Sequence, residues 1–199
     1  MIEKASNSGL ADDQLTVNER DYLLQLARDS LLPGVQGKSL PNLDINTLSS
    51  RLREPGATFV TLTKNQELRG CIGSLEATRS LAEDVRVHAV AAALEDYRFP
   101  PVQESELSQI SIEISRLTTP QKIKSQHPDE ILSQIRPGFD GVVIKKGIRR
   151  ATFLPQVWEK VPEVERFMEM LCRKMGAASD CWRAGSVEIF TYQVEKFKE

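Results

Sequence analysis

Thiols and imidazoles are scarce in this sequence: Cys71, Cys172 and Cys181 are its three cysteines, and His88 and His127 its two histidines, in 199 residues. No two cysteines form a Cys-x-x-Cys pair, so the close ligand pairs of a structural zinc site are missing, and no metal or cofactor is expected. The odd cysteine count, with no secretory signal, predicts reduced thiols. A charge excess is missing as well. The 26 Lys+Arg and 28 Asp+Glu leave a net charge of −2, which excludes a polybasic nucleic-acid binder. Long apolar runs are absent: the longest, Ala89 to Leu94, falls far short of the ~20 residues that span a bilayer. The first residues, Met1 to Ser8, have no apolar core or cleavage site, so no export signal is read there. A cytoplasmic protein with no membrane partner is expected.

The 40% hydrophobic and 27% charged residues that are present suit a globular chain with one good-sized core. Residues 1–14 are polar and read as a mobile segment. Thr16 and Glu19 form a capping box, and Leu23, Leu26, Ala27 and Leu31 continue at helical spacing until Pro33-Gly34 is expected to stop the helix. Thr58 to Thr63 is β-branched and aromatic, and Lys64 to Glu67 reads as a hairpin turn into a second strand, Leu68 to Ile72. Ser80 opens an Ala-rich helix running to about Asp96, which Phe99-Pro100-Pro101 breaks. Ile110, Ile112 and Ile114 alternate with polar residues as a half-buried strand does. A short helix is placed near Asp129, a second hairpin across Lys145 to Arg150, and an amphipathic helix on the Val164 to Met175 stripe, capped by Gly176. Val187 to Phe197 reads as a closing strand. Without repeat, low-complexity tract or linker, the pattern predicts one α+β domain over residues 15–199, with helices packed on a mixed or antiparallel sheet.

The segment Leu68-Arg69-Gly70-Cys71-Ile72-Gly73 carries the most chemical information. Strand alternation puts Arg69 and Cys71 on one face, ~6.5–7 Å apart, within reach of a guanidinium. A neighbouring cation favours thiolate over thiol, so Cys71 is the candidate nucleophile and Arg69 its partner. Gly70 and Gly73 leave room for a ligand or a second backbone, and Gly70, Ile72 and Gly73 become candidate binding positions. The plainer reading makes Cys71 a small buried hydrophobe beside a surface arginine. His88 lies on the apolar face of its helix; it could serve Cys71 as a base, or simply be a hydrogen-bonded core residue. Asp96 and Arg98 are read as a local ion pair or as binding residues, and His127 as a surface residue. Lys145, Lys146, Arg149 and Arg150 could bind phosphate or RNA. A solvated edge whose lysines deter sheet pairing is the reading adopted, since no aromatic platform accompanies them. Cys172 and Cys181-Trp182 are assigned to packing.

The hexapeptide Leu68 to Gly73 resembles the signature of the AMMECR domain family. Phe59 to Leu62, Asp96, Arg98 to Pro101, Asp140-Gly141, Phe153 to Val157, Leu171 to Lys174 and Trp182 agree in the same order, so the resemblance covers about residues 16 to 197. Tyr97 stands where many relatives have proline and Met175 where alanine is frequent, while His88 belongs to no family motif. The resemblance implies a cytosolic α+β domain with a larger and a smaller lobe, and the hexapeptide near a groove. It also implies kinship with protein A of the AmmeMemoRadiSam system, whose name reflects a Memo-like and a radical S-adenosylmethionine (SAM) protein as partners. The family's activity is unsettled. Two functions are therefore carried forward: a cysteine-centred enzyme or small-molecule-handling protein, and a non-catalytic adaptor whose groove receives a protein or nucleic acid.

Overall fold

The structure is a computed structural model describing residues 14–40, 42–125 and 127–199. The segment read as mobile, residues 1–14, lies outside these except for Gln14. The chain is α+β and divides into two compact units. The larger holds residues up to Leu117 together with Glu195–Glu199, and the smaller holds Thr118–Val194.

In the larger unit, helix α1 spans Val17–Val35 and begins at the expected capping box, with Thr16 and Glu19 each satisfying the other's backbone amide. Pro33 does not stop it. A proline in the final turn removes only one intrahelical donor, and the helix ends at Gln36 and Gly37 instead, where Lys38 N–H bonds to Pro33 and Gly37 N–H to Gly34. Gly34 is part of the packing surface: a Cβ there would lie 2.8 Å from the Val90 methyls. After the short helix α2 (Ser50–Arg53) come β1 (Pro55–Lys64), β2 (Glu67–Gly73) and β3 (Arg79–Ser80), then α3 (Leu81–Leu94) and β4 (Ile110–Leu117). The β1–β2 turn is Asn65-Gln66, both with positive φ, as a tight two-residue hairpin requires.

The strand order is β2-β1-β4-β9, with β9 formed by Val194–Lys198 and β3 paired to β1. Both β2 and β4 run antiparallel to β1. Val60 and Leu62 of β1 and Ile112 and Ile114 of β4 form one wall of the core. Against them pack Val85, Ala89 and Ala92 of α3, and Leu23, Ala27 and Leu31 of α1 complete the cluster. Helix α3 touches both β1 and α1, which is why its sequence is apolar almost all round.

The smaller unit contains β5 (Gln121–Lys122), helix α4 (Pro128–Gln134), β6 (Gly141–Lys146), β7 (Arg149–Phe153), helix α5 (Val164–Lys174) and β8 (Glu188–Tyr192). Its sheet order is β5-β8-β6-β7, antiparallel throughout. Phe167, Met168 and Leu171 of α5 cover Val142, Ile144 and Ile189. Trp158 stacks on Phe167 at 3.7 Å between centroids, and its indole N–H donates to the Asp140 carbonyl at 2.7 Å.

Two expectations are corrected here. The closing strand read over Val187 to Phe197 is two strands in different sheets, broken at Gln193. Gln193 gives its backbone N–H to the Thr118 hydroxyl (2.8 Å) and its side-chain amide to the Asp140 carboxylate (2.8 Å), so it leaves the ladder. Cys172 is fully buried on the α5 stripe as expected, but it is not a reduced thiol. It is joined to Cys181, nine residues on, by a disulfide with a Cα–Cα distance of 6.3 Å. The turn after α5 doubles back onto the helix, which counting cysteines does not reveal.

Candidate functional site

Strand β2 lies at one edge of its sheet, so half of its backbone groups need partners outside the ladder. At Cys71 those partners come from the turn after α3. Cys71 N–H donates to Asp96 Oδ2 (2.8 Å), and the Cys71 carbonyl accepts from the Arg98 guanidinium (3.4 Å). Asp96 and Arg98 are themselves a two-point pair, at 2.9 Å and 2.7 Å, and Arg98 N–H also reaches Asp96. The expected ion pair is thus present, and it doubles as a side-chain substitute for a neighbouring strand. Asp96 is buried. The Arg98 hydrogen bonds, helped by the amides of Cys71 and Arg98, outweigh burial and hold its carboxyl well below the usual carboxylate range. The same pairing raises Arg98.

The glycines of the hexapeptide have a packing explanation. A Cβ at Gly70 would fall on the Ala92 carbonyl oxygen of α3, and one at Gly73 on the Thr58 carbonyl oxygen of β1. Gly70 is buried, and Ile72 packs against the core cluster of the larger unit. The second backbone foreseen from sequence is therefore the protein's own helix. Gly70 and Ile72 face the core.

The Arg69 guanidinium is engaged away from Cys71. Its guanidinium grips Glu106 with two bonds (3.1 and 2.9 Å) and donates to the Pro100 and Pro101 carbonyls (2.9 and 3.4 Å). Lys64 adds a third bond to Glu106 at 3.0 Å. With Arg69 first, then the Gln103 amide and Lys64, Glu106 is pulled down to about 2. Arg69 thus anchors the Pro100-Pro101 segment, and the cation beside Cys71 is Arg98. No local signal marks Glu106, which lies 37 residues beyond Arg69 and meets it only through tertiary folding.

The Cys71 side chain is half-buried on the sheet face away from α3. Its sulfur accepts a hydrogen bond from Thr61 Oγ1 at 3.2 Å. Thr61 stands directly opposite Cys71 on one side and Glu113 of β4 on the other, so thiol, hydroxyl and carboxylate residues form one row across three strands. Sequence reading missed this row, because pairing register cannot be read from β1 or β4 alone. His88 is on the opposite face. Its ring Nδ1 lies 3.1 Å from buried Asp84 and 3.5 Å from the Thr58 hydroxyl, so it is a hydrogen-bonded core histidine and makes no pair with Cys71. His127 is exposed. Among the described residues, Cys71 is the only free cysteine. No group of three His, Cys, Asp or Glu side chains is placed there to hold a metal ion. No described helix is long and apolar enough to cross a membrane.

The AMMECR1 family model matches residues 24–197. A protein of Methanopyrus kandleri is 34% identical over 195 residues, covering 94% of this chain and 91% of its own. One from Methanocaldococcus jannaschii is 37% identical over 188 residues, covering 93% and 92%. The crystal structure of an uncharacterized protein from Pyrococcus horikoshii matches with a TM-score of 0.70 at 32% identity, covering 89% of this chain and 90% of that one. With the hexapeptide, its edge clamp and the two sheets in place, the chain belongs to the AMMECR1 family.

Proposed function

We propose that this chain is a cytoplasmic protein that handles a small molecule through the thiol of Cys71, working with Memo-like and radical SAM partners. The observation that carries this reading is the setting of Cys71. It is the one free cysteine of the described residues, half-buried, with its sulfur hydrogen-bonded to Thr61 and the Arg98 guanidinium at its carbonyl. A hydroxyl donor on the sulfur and a guanidinium fixed at the same residue's carbonyl mark the place where a small anionic molecule would be oriented against the thiol. Arg98 takes the role that sequence had given to Arg69. Asp96 holds Arg98 in place, and Gly70, Ile72 and Gly73 set the strand against α3 and β1.

The adaptor reading has one observation in its favour: Tyr97, between the two clamp residues, is 95% exposed and suits a protein contact. Alkylation separates the two. Iodoacetamide at neutral pH, read by mass spectrometry of the Cys71 peptide, is expected to modify the folded protein at least about tenfold faster than the urea-unfolded chain. Arg98→Ala should slow it, while Cys71→Ser leaves the melting temperature unchanged. A folded thiol no faster than the unfolded one, or a Cys71→Ser chain that fails to fold, overturns the thiol-centred function and leaves the adaptor.

A further inference from the structure

We propose that the tip of the β6–β7 hairpin docks on an anionic phospholipid surface. The hairpin turns through Gly147 and Ile148, and Ile148 is fully exposed, at 102%. Behind it stand two cross-strand rungs, Lys146 opposite Arg149 and Lys145 opposite Arg150. Like charges set directly opposite weaken a hairpin, so two such rungs in succession work against its stability.

Three of these side chains make contacts with neutral groups. Lys145 lies over the Phe190 ring at 4.9 Å, Lys146 donates to the Ser186 hydroxyl at 3.2 Å, and Arg149 donates to the Gly176 carbonyl at 2.9 Å. The acid in register with Lys145 is Glu188, and Lys122 is its ion-pair partner. These contacts aim Lys146 and Arg149 without neutralising them, while Lys145 shares the field of Glu188 with Lys122.

An apolar apex ringed by aimed cations matches the boundary between headgroups and acyl chains. There the isoleucine sits below the phosphate plane and the ammonium and guanidinium groups lie at it. A nucleic acid would use the cations but gains little from an aliphatic tip without an aromatic platform. The sequence expectation of no membrane partner rested on the lack of a spanning run, and lying on a surface requires none.

Flotation of the full chain with vesicles tests this. Vesicles of phosphatidylcholine with about 40% phosphatidylserine should bind it at ~50 mM salt and lose it by roughly tenfold at ~300 mM, and pure phosphatidylcholine should not bind it. Ile148→Ser should lower binding at least about fivefold without changing the melting temperature, because the side chain touches no core. Ile148→Trp supplies an optical readout. Trp158 and Trp182 are 4% and 0% exposed, so a blue shift on adding anionic vesicles reports the new indole alone. Failure to bind anionic vesicles, binding indifferent to Ile148→Ser, or an unshifted indole overturns the proposal. So does binding to single-stranded RNA or duplex DNA at the same salt that needs the cations and ignores Ile148.

Discussion

The two hairpins of this protein, β1–β2 and β6–β7, use similar materials for opposite ends. Each has a tight turn and cations near its tip. In the first, both cations have an anionic partner: Lys64 and Arg69 converge on Glu106, and Arg69 also takes two proline carbonyls. In the second, Lys146 faces Arg149 across the ladder, and the two bond to a hydroxyl and a carbonyl with no carboxylate at either contact. The first hairpin is tied down on its outer edge by Asp96 and Arg98, whereas the second projects an isoleucine. Charge on a hairpin is therefore no guide to its role until the partners are known.

One substitution made twice gives the widest separation. At Gly70 a methyl group would collide with the Ala92 carbonyl, whereas at Gly147 nothing lies within 4 Å and only the left-handed backbone (φ +59°) objects. Gly70→Ala should cost about 3 kcal/mol or more. Gly147→Ala should cost about 1 kcal/mol. Urea melts of the two variants measure both, and equal costs would mean that α3 does not pin the first hairpin.

Acid should act more strongly on the first hairpin than on the second, whose neighbouring depressed carboxylate, Glu188, is solvent-exposed. Glu106 is depressed from 4.5 to about 2, so the stability it contributes is fully present above about pH 4.5 and is lost as pH falls toward 2. Asp96, also depressed, adds loss in the same direction as pH falls below its ordinary value of 3.8. Between pH 5 and pH 2.5 the native chain should lose about 2 kcal/mol more than Glu106→Gln, after allowance for solvent screening. Lys146→Ala should follow the native acid profile. Coincident profiles for the native chain and Glu106→Gln would show that the triple grip on Glu106 does not form.

The smallest effect belongs to Arg149→Ala. It removes a bond to the Gly176 carbonyl but also relieves the repulsion from Lys146, so stability should stay within about 0.5 kcal/mol in a thermal melt. A larger loss would show that the Gly176 contact holds α5 and that the second hairpin is as firmly bound as the first.

Sequence disclosed what is local. The Thr16–Glu19 box, the Asn65-Gln66 turn, the alternation from Ile110 to Ile114 and the buried stripe of α5 each depend on residues within a few positions of one another. The hexapeptide itself was legible, and so was the need for a close approach at Gly70. What approached was not, since Ala92 lies on the next helix. The partner of Arg69 was hidden for the same reason. Strand spacing put it within reach of Cys71, but Glu106 offered a charged, two-point partner that spacing could not foresee. The Cys172–Cys181 bond and the row Cys71–Thr61–Glu113 are likewise products of chain reversal and register.

The break at Gln193 has a consequence for the order of events during synthesis. The smaller unit, Thr118–Val194, is an insertion in the larger, whose last strand emerges from the ribosome only after the whole insert. Until then the outer edge of β4 is bare. Arg116 and Arg20 lack Glu195, and Arg28 and the Ile112 amide lack Glu199. The smaller unit can condense while the larger still waits with an open, isoleucine-rich strand. The nascent chain is therefore most prone to mispairing in the interval between those two closures.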